Sequence, residues 1–240
     1  MRFDLVTLFP EMLEGPLGCS VIGRGRNAGC LDIRIRDLRD WALGRHRVVD
    51  DTPYGGGAGM VLKVEPMVRA IRTLREEGPC HMVLMGPGGG RFDQSKARQW
   101  AKLPRIVLLC GHYEGVDDRI RSLVDEELSV GDFVLTGGEL AAAVVVDAVA
   151  RLVPGVVGNE ASLVEESFET GLLDHPHYTR PRDFEGVGVP EVLLSGHHDK
   201  IRRWRRKQAL RRTQTLRPDL LKGLALSPED KALLKLSEDG

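Results

Sequence analysis

The chain has 240 residues, of which 42% are hydrophobic and 29% are charged, and these are the proportions of a folded globular protein rather than of a disordered one. Thirty-four Lys and Arg residues against 35 Asp and Glu residues give a net charge of −1, which excludes a uniformly basic protein that coats nucleic acid. The cysteines form no CxxC pair, and the longest apolar run, Leu140 to Val146, is far too short to span a membrane. Composition therefore predicts a soluble cytoplasmic protein without a membrane anchor.

The first third of the chain predicts two strands, a loop and a helix. Residues 2–9 form an apolar stretch typical of a strand, and residues 31–38 alternate apolar and polar side chains. Residues 45–60 are rich in Pro and Gly, which predicts a long functional loop. Apolar residues at helical spacing predict a helix over 65–77.

From residue 81 the sequence predicts three consecutive strand–loop–helix units with a glycine-rich loop in each. The predicted strands are 81–85, 105–110 and 130–136, and the predicted helices lie near 93–103, 116–127 and 139–153. Such units give parallel strands joined by right-handed crossovers. The three loops GPGGGR, GHYEG and GGE then share the carboxyl edge of one sheet, where α/β proteins bind ligands. One glycine loop alone predicts only a tight turn, whereas three at one edge predict a binding site.

The predicted helix 139–153 is apolar almost all the way round, which suits burial on several sides or a subunit interface. Its charged residues, Glu139, Asp147 and Arg151, fall on one face at 100° per residue. Asp147 and Arg151 are spaced for an ordinary ion pair. A functional Arg151 that points into a site is an equally good interpretation.

The C-terminal part of the chain begins after a linker predicted at 156–173 and contains a basic helix. Nine Lys and Arg residues and no acidic residue lie between Lys200 and Arg217, a density typical of phosphate-backbone contacts. The alternative is a solvated surface helix with Ile201 and Trp204 in the core. We favour nucleic-acid contact, and the predicted contact residues are Arg202, Arg203, Arg206 and Lys207.

Candidate acid–base groups are the carboxylates near the glycine loops and in the linker, namely Glu114, Asp132, Glu165 and Glu166. No GxxxxGK[ST] segment is present, which argues against a P-loop hydrolase. Asp174, His175 and His177 are close in sequence, and two histidines spaced by two on a loop can chelate a metal ion. No third ligand of fixed geometry is recognisable. Pro176 adjoins both histidines, so the sequence predicts a rigid recognition loop and no metal.

Six segments together resemble one family over essentially the whole chain. They are DDTPYGGGAGM (50–60), CGHYEGVDDR (110–119), SVGDFVLTGGEL (129–140), DAVARLVPGVVG (147–158), LLDHPHYTRP (172–181) and LSGHHDKIRRWR (194–205). The chain closely resembles the bacterial tRNA (guanine-N1)-methyltransferases of the SPOUT superfamily, the TrmD family.

The resemblance implies an α/β fold: a parallel sheet with helices on both faces and a trefoil knot, followed by a small, mainly helical tRNA-binding domain. The implied limits are 1–155 for the knotted domain, 156–173 for the linker and 174–240 for the helical domain. It also implies a homodimer and S-adenosylmethionine bound in the knot. The matching cofactor positions are Met85, Gly86, Pro87, Gly111, Tyr113, Glu114, Val130, Gly131, Asp132, Phe133, Val134, Leu135, Gly137 and Gly138.

The implied reaction is methyl transfer to N1 of the guanosine at position 37 of tRNA, beside the anticodon. The family's general base is an aspartate before Ser-Phe, and Glu166 stands at that position here, with Glu165 as an alternative. Arg151 matches the arginine that steadies the guanine oxygen. His112 replaces an arginine that many relatives have. Members also respond to magnesium, although no cation cage is recognisable in the sequence.

Two other functions stay open on the sequence alone. One is a different activity of a SPOUT RNA methyltransferase, with another base or a ribose as its target. The other is a catalytically silent RNA-binding dimer that uses the basic helix.

Overall fold

A computed structural model of the protein describes residues 1–158 and 166–235. The chain divides into two compact units, Met1–Gly158 and Asn159–Gly240. The division falls inside the predicted linker, and the candidate base Glu165 lies outside the described residues. No helix among the described residues is long and apolar enough to cross a membrane.

The strands and helices are named here in chain order. The strands are β1 (Arg2–Thr7), β2 (Asp32–Asp37), β3 (Asp50–Asp51), β4 (Val61–Leu62), β5 (His81–Arg91), β6 (Arg105–Cys110), β7 (Glu126–Ser129), β8 (Asp183–Phe184) and β9 (Val187–Gly188). The α-helices are α1 (Glu11–Gly18), α2 (Ser20–Asn27), α3 (Val64–Glu76), α4 (Gln94–Trp100), α5 (Glu139–Ala150), α6 (Glu191–Leu194), α7 (His198–Leu216), α8 (Pro218–Leu221) and α9 (Pro228–Lys235). Two short 3₁₀ helices span Leu38–Trp41 and Asp118–Leu123.

The first unit is built on a five-stranded sheet of order β2-β1-β6-β5-β7, in which all paired strands are parallel. Successive side chains of a strand point to opposite faces, and both faces are apolar here. In β6, Ile106 and Leu108 belong to the core beneath α1, α4 and α5, whereas Val107 and Leu109 belong to the core beneath α3. The predicted parallel sheet with helices on both faces is therefore confirmed.

Two predicted elements of this unit are wrong. The helix predicted near 116–127 is only the 3₁₀ helix Asp118–Leu123, and the strand predicted at 130–136 is a loop in which Phe133 and Val134 are 59% and 97% exposed. The true strand, β7, precedes it. The sequence pattern does not predict this strand, because the acidic residue Glu126 interrupts the apolar run. In the fold Glu126 is accommodated by His81, whose Nε2 lies 2.6 Å from a Glu126 carboxylate oxygen.

The predicted loop after residue 85 also differs, because residues 86–91 continue β5 with an irregularity. The register with β7 shifts between Met85 and Gly90, so Leu128 lies opposite both residues. Gly89 packs on the backbone of Glu127 with no room for a Cβ atom. The glycines of GPGGGR thus allow the bulge that brings the end of β5 close to β7.

A buried ion cluster joins the centre of the sheet to the end of α3. Asp4 of β1 is fully buried, and its carboxylate accepts hydrogen bonds from Arg105 at 2.8 Å, Arg2 at 2.9 Å and Arg36 at 3.3 Å. Arg105 also donates to the carbonyl of Leu74 at 2.9 Å. A buried carboxylate is tolerated only when such partners replace water.

We expect Arg105→Ala to lower the free energy of unfolding by about 3 kcal/mol, because it leaves a buried carboxylate short of partners. Arg2 and Arg36 still contact Asp4 in this variant, which keeps the loss at the lower end of the usual range. The matched control is Arg34→Ala, which removes an exposed pair with Asp32 and is expected to cost at most about 1 kcal/mol. Urea unfolding of the three proteins measures both values, and equal losses would contradict the structural role of Arg105.

Candidate functional site

A cavity of about 230 Å³ lies at the carboxyl ends of β6, β7 and the regular part of β5, which ends at Met85. This is the edge of the sheet where the sequence predicts a binding site. The predicted cofactor-binding residues that line it are Met85, Gly86, Pro87, Gly111, Tyr113, Glu114, Val130, Gly131, Phe133, Val134, Leu135, Gly137 and Gly138. Asp132 is the one predicted residue that does not line the cavity, and its side chain is exposed. The three predicted loops therefore converge on a single concave site.

Six further residues line the cavity that the sequence prediction did not include: His112, Gly115, Leu128, Ser129, Thr136 and Ala141. Most of them are neighbours of predicted residues on the same loops, so the loop signal itself points to them. Ala141 lies in the first turn of α5, and Leu128 lies in the strand that the sequence concealed. Only the folded sheet brings these two residues to the cavity.

The loops can converge because Gly138 has no side chain. Its N–H donates a 2.7 Å hydrogen bond to the carbonyl of Gly111. A Cβ atom on Gly138 would lie 3.0 Å from Cα of Cys110 and 3.1 Å from Cβ of Met85, tighter than ordinary van der Waals contact. The start of α5 therefore docks directly on the ends of β5 and β6.

The loop after β6 has an unusual backbone conformation and is hydrogen-bonded at the end of the glycine-rich segment 45–60. Tyr113 has a φ of 59°, a conformation that non-glycine residues rarely adopt. The N–H of Glu114 donates to the carbonyl of Met60 at 3.1 Å, and the N–H of Leu62 donates to the carbonyl of Gly115 at 3.0 Å. These bonds connect the glycine-rich segment to the rim of the cavity.

A buried carboxylate lies behind the cavity wall. Glu139, the first residue of α5, is fully buried and accepts a 2.8 Å hydrogen bond from Thr7. Nδ1 of His112 lies 3.5 Å from its other oxygen, and the His112 ring packs against Phe9. The prediction that Glu139 shares a face with Asp147 is wrong, because Glu139 points inward whereas Asp147 is exposed.

Cysteine chemistry is disfavoured at this site. Cys110 is buried at the end of β6, and burial together with the charge of Glu139 raises the pKa of its thiol well above the usual value. The thiolate, which is the reactive form, is therefore scarce near neutral pH.

Arg151 directly follows α5, where its N–H donates to the carbonyl of Asp147 at 3.3 Å, and its side chain is half-buried. The helix thus fixes the backbone from which this guanidinium extends.

Glu166 lies on a tight turn of the second unit. Its carbonyl accepts a hydrogen bond from Glu169 at 3.2 Å, and the N–H of Phe168 donates to the carbonyl of Leu172 at 2.7 Å. Phe168 has a φ of 73°, an outlier for a bulky residue, and such outliers are concentrated at functional sites. The turn therefore holds the predicted base in a defined place within this unit.

The basic helix α7 uses its predicted contact residues in two different ways. Arg202 and Arg203 are 79% and 62% exposed. Arg206 instead donates two hydrogen bonds, of 2.7 and 2.9 Å, to the carboxylate of Asp230 in α9, and Lys207 is buried. The Arg206 hydrogen bonds lower the pKa of Asp230 to about 2, so this pair joins the two helices.

The chain is similar to known proteins along its whole length. A sequence model of the family described as tRNA (Guanine-1)-methyltransferase TrmD matches residues 1–223. A tRNA (guanine-N(1)-)-methyltransferase of Chloroflexus aggregans is 58% identical over 98% of this chain and 94% of its own length. Proteins of the same name from Anaeromyxobacter sp. (strain K) and Dictyoglomus turgidum are 55% and 51% identical, over 100% and 98% of this chain and 98% and 96% of their own lengths. The chain therefore belongs to the tRNA (guanine-1)-methyltransferase TrmD family.

Proposed function

We propose that this protein transfers a methyl group from S-adenosylmethionine to N1 of the guanosine at position 37 of tRNA, beside the anticodon. The observation that carries the proposal is the cavity at the carboxyl ends of β6, β7 and the regular part of β5, because the residues that line it stand at the family's cofactor positions. Family membership supports the acceptor, because the relatives are named as tRNA guanine-N1 methyltransferases. Since the substrate is tRNA, we expect the enzyme to act in the cytoplasm.

The cavity suits S-adenosylmethionine in its lining and its charge. Its walls are mostly backbone and small or apolar side chains, and its lining includes Glu114 but no Lys or Arg. A sulfonium and an α-ammonium group carry positive charge, which favours a site with a carboxylate and without competing cations. When bound, S-adenosylmethionine supplies an electrophilic methyl group on its sulfonium. The role of the protein is to hold donor and acceptor in line.

Glu166 is the residue that we propose as general base. Guanine N1 carries a proton, and the atom becomes a good nucleophile only as that proton leaves. A carboxylate at N1 accepts the proton while the methyl group arrives. Glutamate has one more methylene than the family's aspartate, so its carboxylate extends farther from the strained turn at Phe168.

Arg151 is the residue that we propose at guanine O6. Negative charge grows on O6 as N1 loses its proton, and a guanidinium donates hydrogen bonds to such an oxygen while it carries the opposite charge. The resemblance to the family supports this role. Arg151 directly follows α5 and lies at the end of that helix opposite to the cavity, because α5 begins at the cavity after Gly138.

The knot and the dimer are also proposals. β7 lies at the sheet edge beside β5, yet the chain that follows it returns to bond with Gly111 after β6. The chain must therefore cross the end of β5, as a trefoil knot requires. On α5, Leu140 and Val144 are exposed at a spacing of one helical turn, which supports burial of this stripe in a homodimer. A magnesium dependence remains a prediction of the family resemblance.

The second unit is proposed to bind tRNA through the exposed part of α7. Arg202 and Arg203 are the contacts that we favour, because their side chains reach solvent. Arg206 and Lys207 are assigned to the packing of the unit instead, since Arg206 is held by Asp230 and Lys207 is buried.

The reaction is tested with labelled S-adenosylmethionine and two tRNA transcripts that differ only at position 37, guanosine in one and adenosine in the other. We expect label only in the guanosine transcript, recovered as 1-methylguanosine after nucleoside analysis. Label in both transcripts would contradict guanosine 37 as the target. Binding of tRNA without any label would contradict the methyltransferase activity. Glu166→Gln in the same assay keeps the shape of the side chain but removes the base, so we expect a single-turnover rate at least about 100-fold lower.

The matched control for Glu166→Gln is Glu165→Gln, which makes the same change one residue earlier. We expect this control to keep the rate of the unaltered protein within a few-fold. Loss of activity in the control but not in Glu166→Gln would assign the base to Glu165. Binding of S-adenosylhomocysteine is expected to be unchanged in both variants.

Charge reversal on α7 tests the tRNA surface. We expect the double variant Arg202→Glu, Arg203→Glu to weaken tRNA binding and to reduce the salt dependence of the affinity, because fewer counterions are released from phosphates. Arg34→Glu makes a charge reversal at an exposed residue of β2 and serves as control. Filter binding at several salt concentrations measures both, and an unaltered salt slope in the double variant would contradict the electrostatic role of α7.

A further inference from the structure

Three side chains of metal-binding types converge in the segment that precedes β8. Asp174, His175 and His177 each place a ligand atom within 4.8 Å of the others. Nδ1 of His175 lies 2.7 Å from one carboxylate oxygen of Asp174, and Nε2 of His177 lies 2.8 Å from the other. The two imidazole rings are 4.4 Å apart between centroids. The sequence predicts no metal here because the side-chain directions that bring the three ligands together are set by the fold.

We propose that Asp174, His175 and His177 bind one divalent transition-metal ion, of which Zn²⁺ suits the donor set best. Two imidazole nitrogens and one carboxylate oxygen are ligands typical of zinc, which takes them at about 2.0–2.2 Å. The ion replaces the two short contacts between the histidines and the carboxylate. In a tetrahedral site with bonds of this length the ligand atoms lie about 3.4 Å apart, so the nitrogen–oxygen distances must lengthen by roughly 0.7 Å from those in the structure.

The cluster is built on a segment that the second unit already holds in place. The N–H of Leu173 donates to Oγ1 of Thr213 in α7 at 2.8 Å, and the N–H of Asp174 donates to Oγ of Ser167 at 2.9 Å. Thr213 is buried, and so is His175. Two of the three ligands therefore have a fixed backbone or a packed ring, which lowers the cost of ordering them for an ion.

The outer side of the cluster is open to water. The His177 side chain is 69% exposed, so an ion has an entry path. Three protein ligands leave a fourth position of a tetrahedral ion for a water molecule. Two arginines carry positive charge near the cluster. Arg205 interacts electrostatically with His175, and Nη1 of Arg212 lies 3.5 Å from the carbonyl oxygen of Asp174.

A bound ion would connect the loop at 174–177 to the turn that holds Glu166. Ser167, which accepts the hydrogen bond from Asp174, is the next residue after Glu166. The site is independent of the proposed reaction, because none of its ligands is assigned to the acceptor or the cofactor. Metal binding and methyl transfer are therefore tested separately.

The test is a titration of the full chain, stripped of metal with a chelator, with Zn²⁺ in calorimetry and with Co²⁺ in visible absorption. We expect one ion per chain, d–d bands from bound Co²⁺ and a higher midpoint of thermal unfolding with Zn²⁺. His177→Ala changes an exposed side chain and is expected to fold, as circular dichroism checks. It should weaken Zn²⁺ binding at least about tenfold, and Asp174→Asn should do the same.

The matched control is His198→Ala, which removes an exposed histidine of the same unit beside another histidine, His197. We expect this variant to bind Zn²⁺ as the unaltered chain does. Zn²⁺ binding that survives both His177→Ala and Asp174→Asn would overturn the proposal, as would the absence of binding in the unaltered chain. Equal weakening by His177→Ala and His198→Ala would also overturn it, because it would indicate general binding by surface histidines.

Discussion

The candidate site depends on the close contact of Gly138 with the ends of β5 and β6. The N–H of Gly138 bonds to Gly111 at 2.7 Å, and a side chain there would press on Cys110 and Met85. This contact begins α5 at the cavity and buries Glu139 behind the wall. The contact also requires the chain to come back from the sheet edge past β5. As a result, three loops from separate parts of the sequence surround the same cavity.

The sequence predicts this site well because its signals are local. The buried run of β6 and the glycine loops at the strand ends follow from apolar pattern and from parallel topology. The prediction fails where tertiary contacts outweigh pattern. β7 is hidden by Glu126, whose carboxylate pairs with Lys96 and contacts His81. The apolar residues Phe133 and Val134 lie in a loop at the cavity rather than in a strand.

Charge pattern alone also overestimates the exposed basic surface of α7. Arg206 belongs to the basic run of α7, but its guanidinium is committed to Asp230, a residue more than twenty positions later that no local pattern connects with it. The same limit applies to Asp174 and His177, whose contact is made by side-chain direction. The second unit therefore combines an exposed basic surface with a separate polar cluster, and only the structure separates their residues.

The most direct test of this account is calorimetric binding of S-adenosylhomocysteine to Gly138→Ala and to its control, Gly90→Ala. Gly138 has ordinary helical backbone angles, so its methyl group tests space alone, whereas a Cβ on Gly90 meets nothing within 4 Å. With both variants folded, the account predicts at least about tenfold weaker binding, or 1.4 kcal/mol, for Gly138→Ala and unchanged binding for Gly90→Ala. Unchanged binding by Gly138→Ala would contradict it, since the cavity would then not depend on the contact between the three loops.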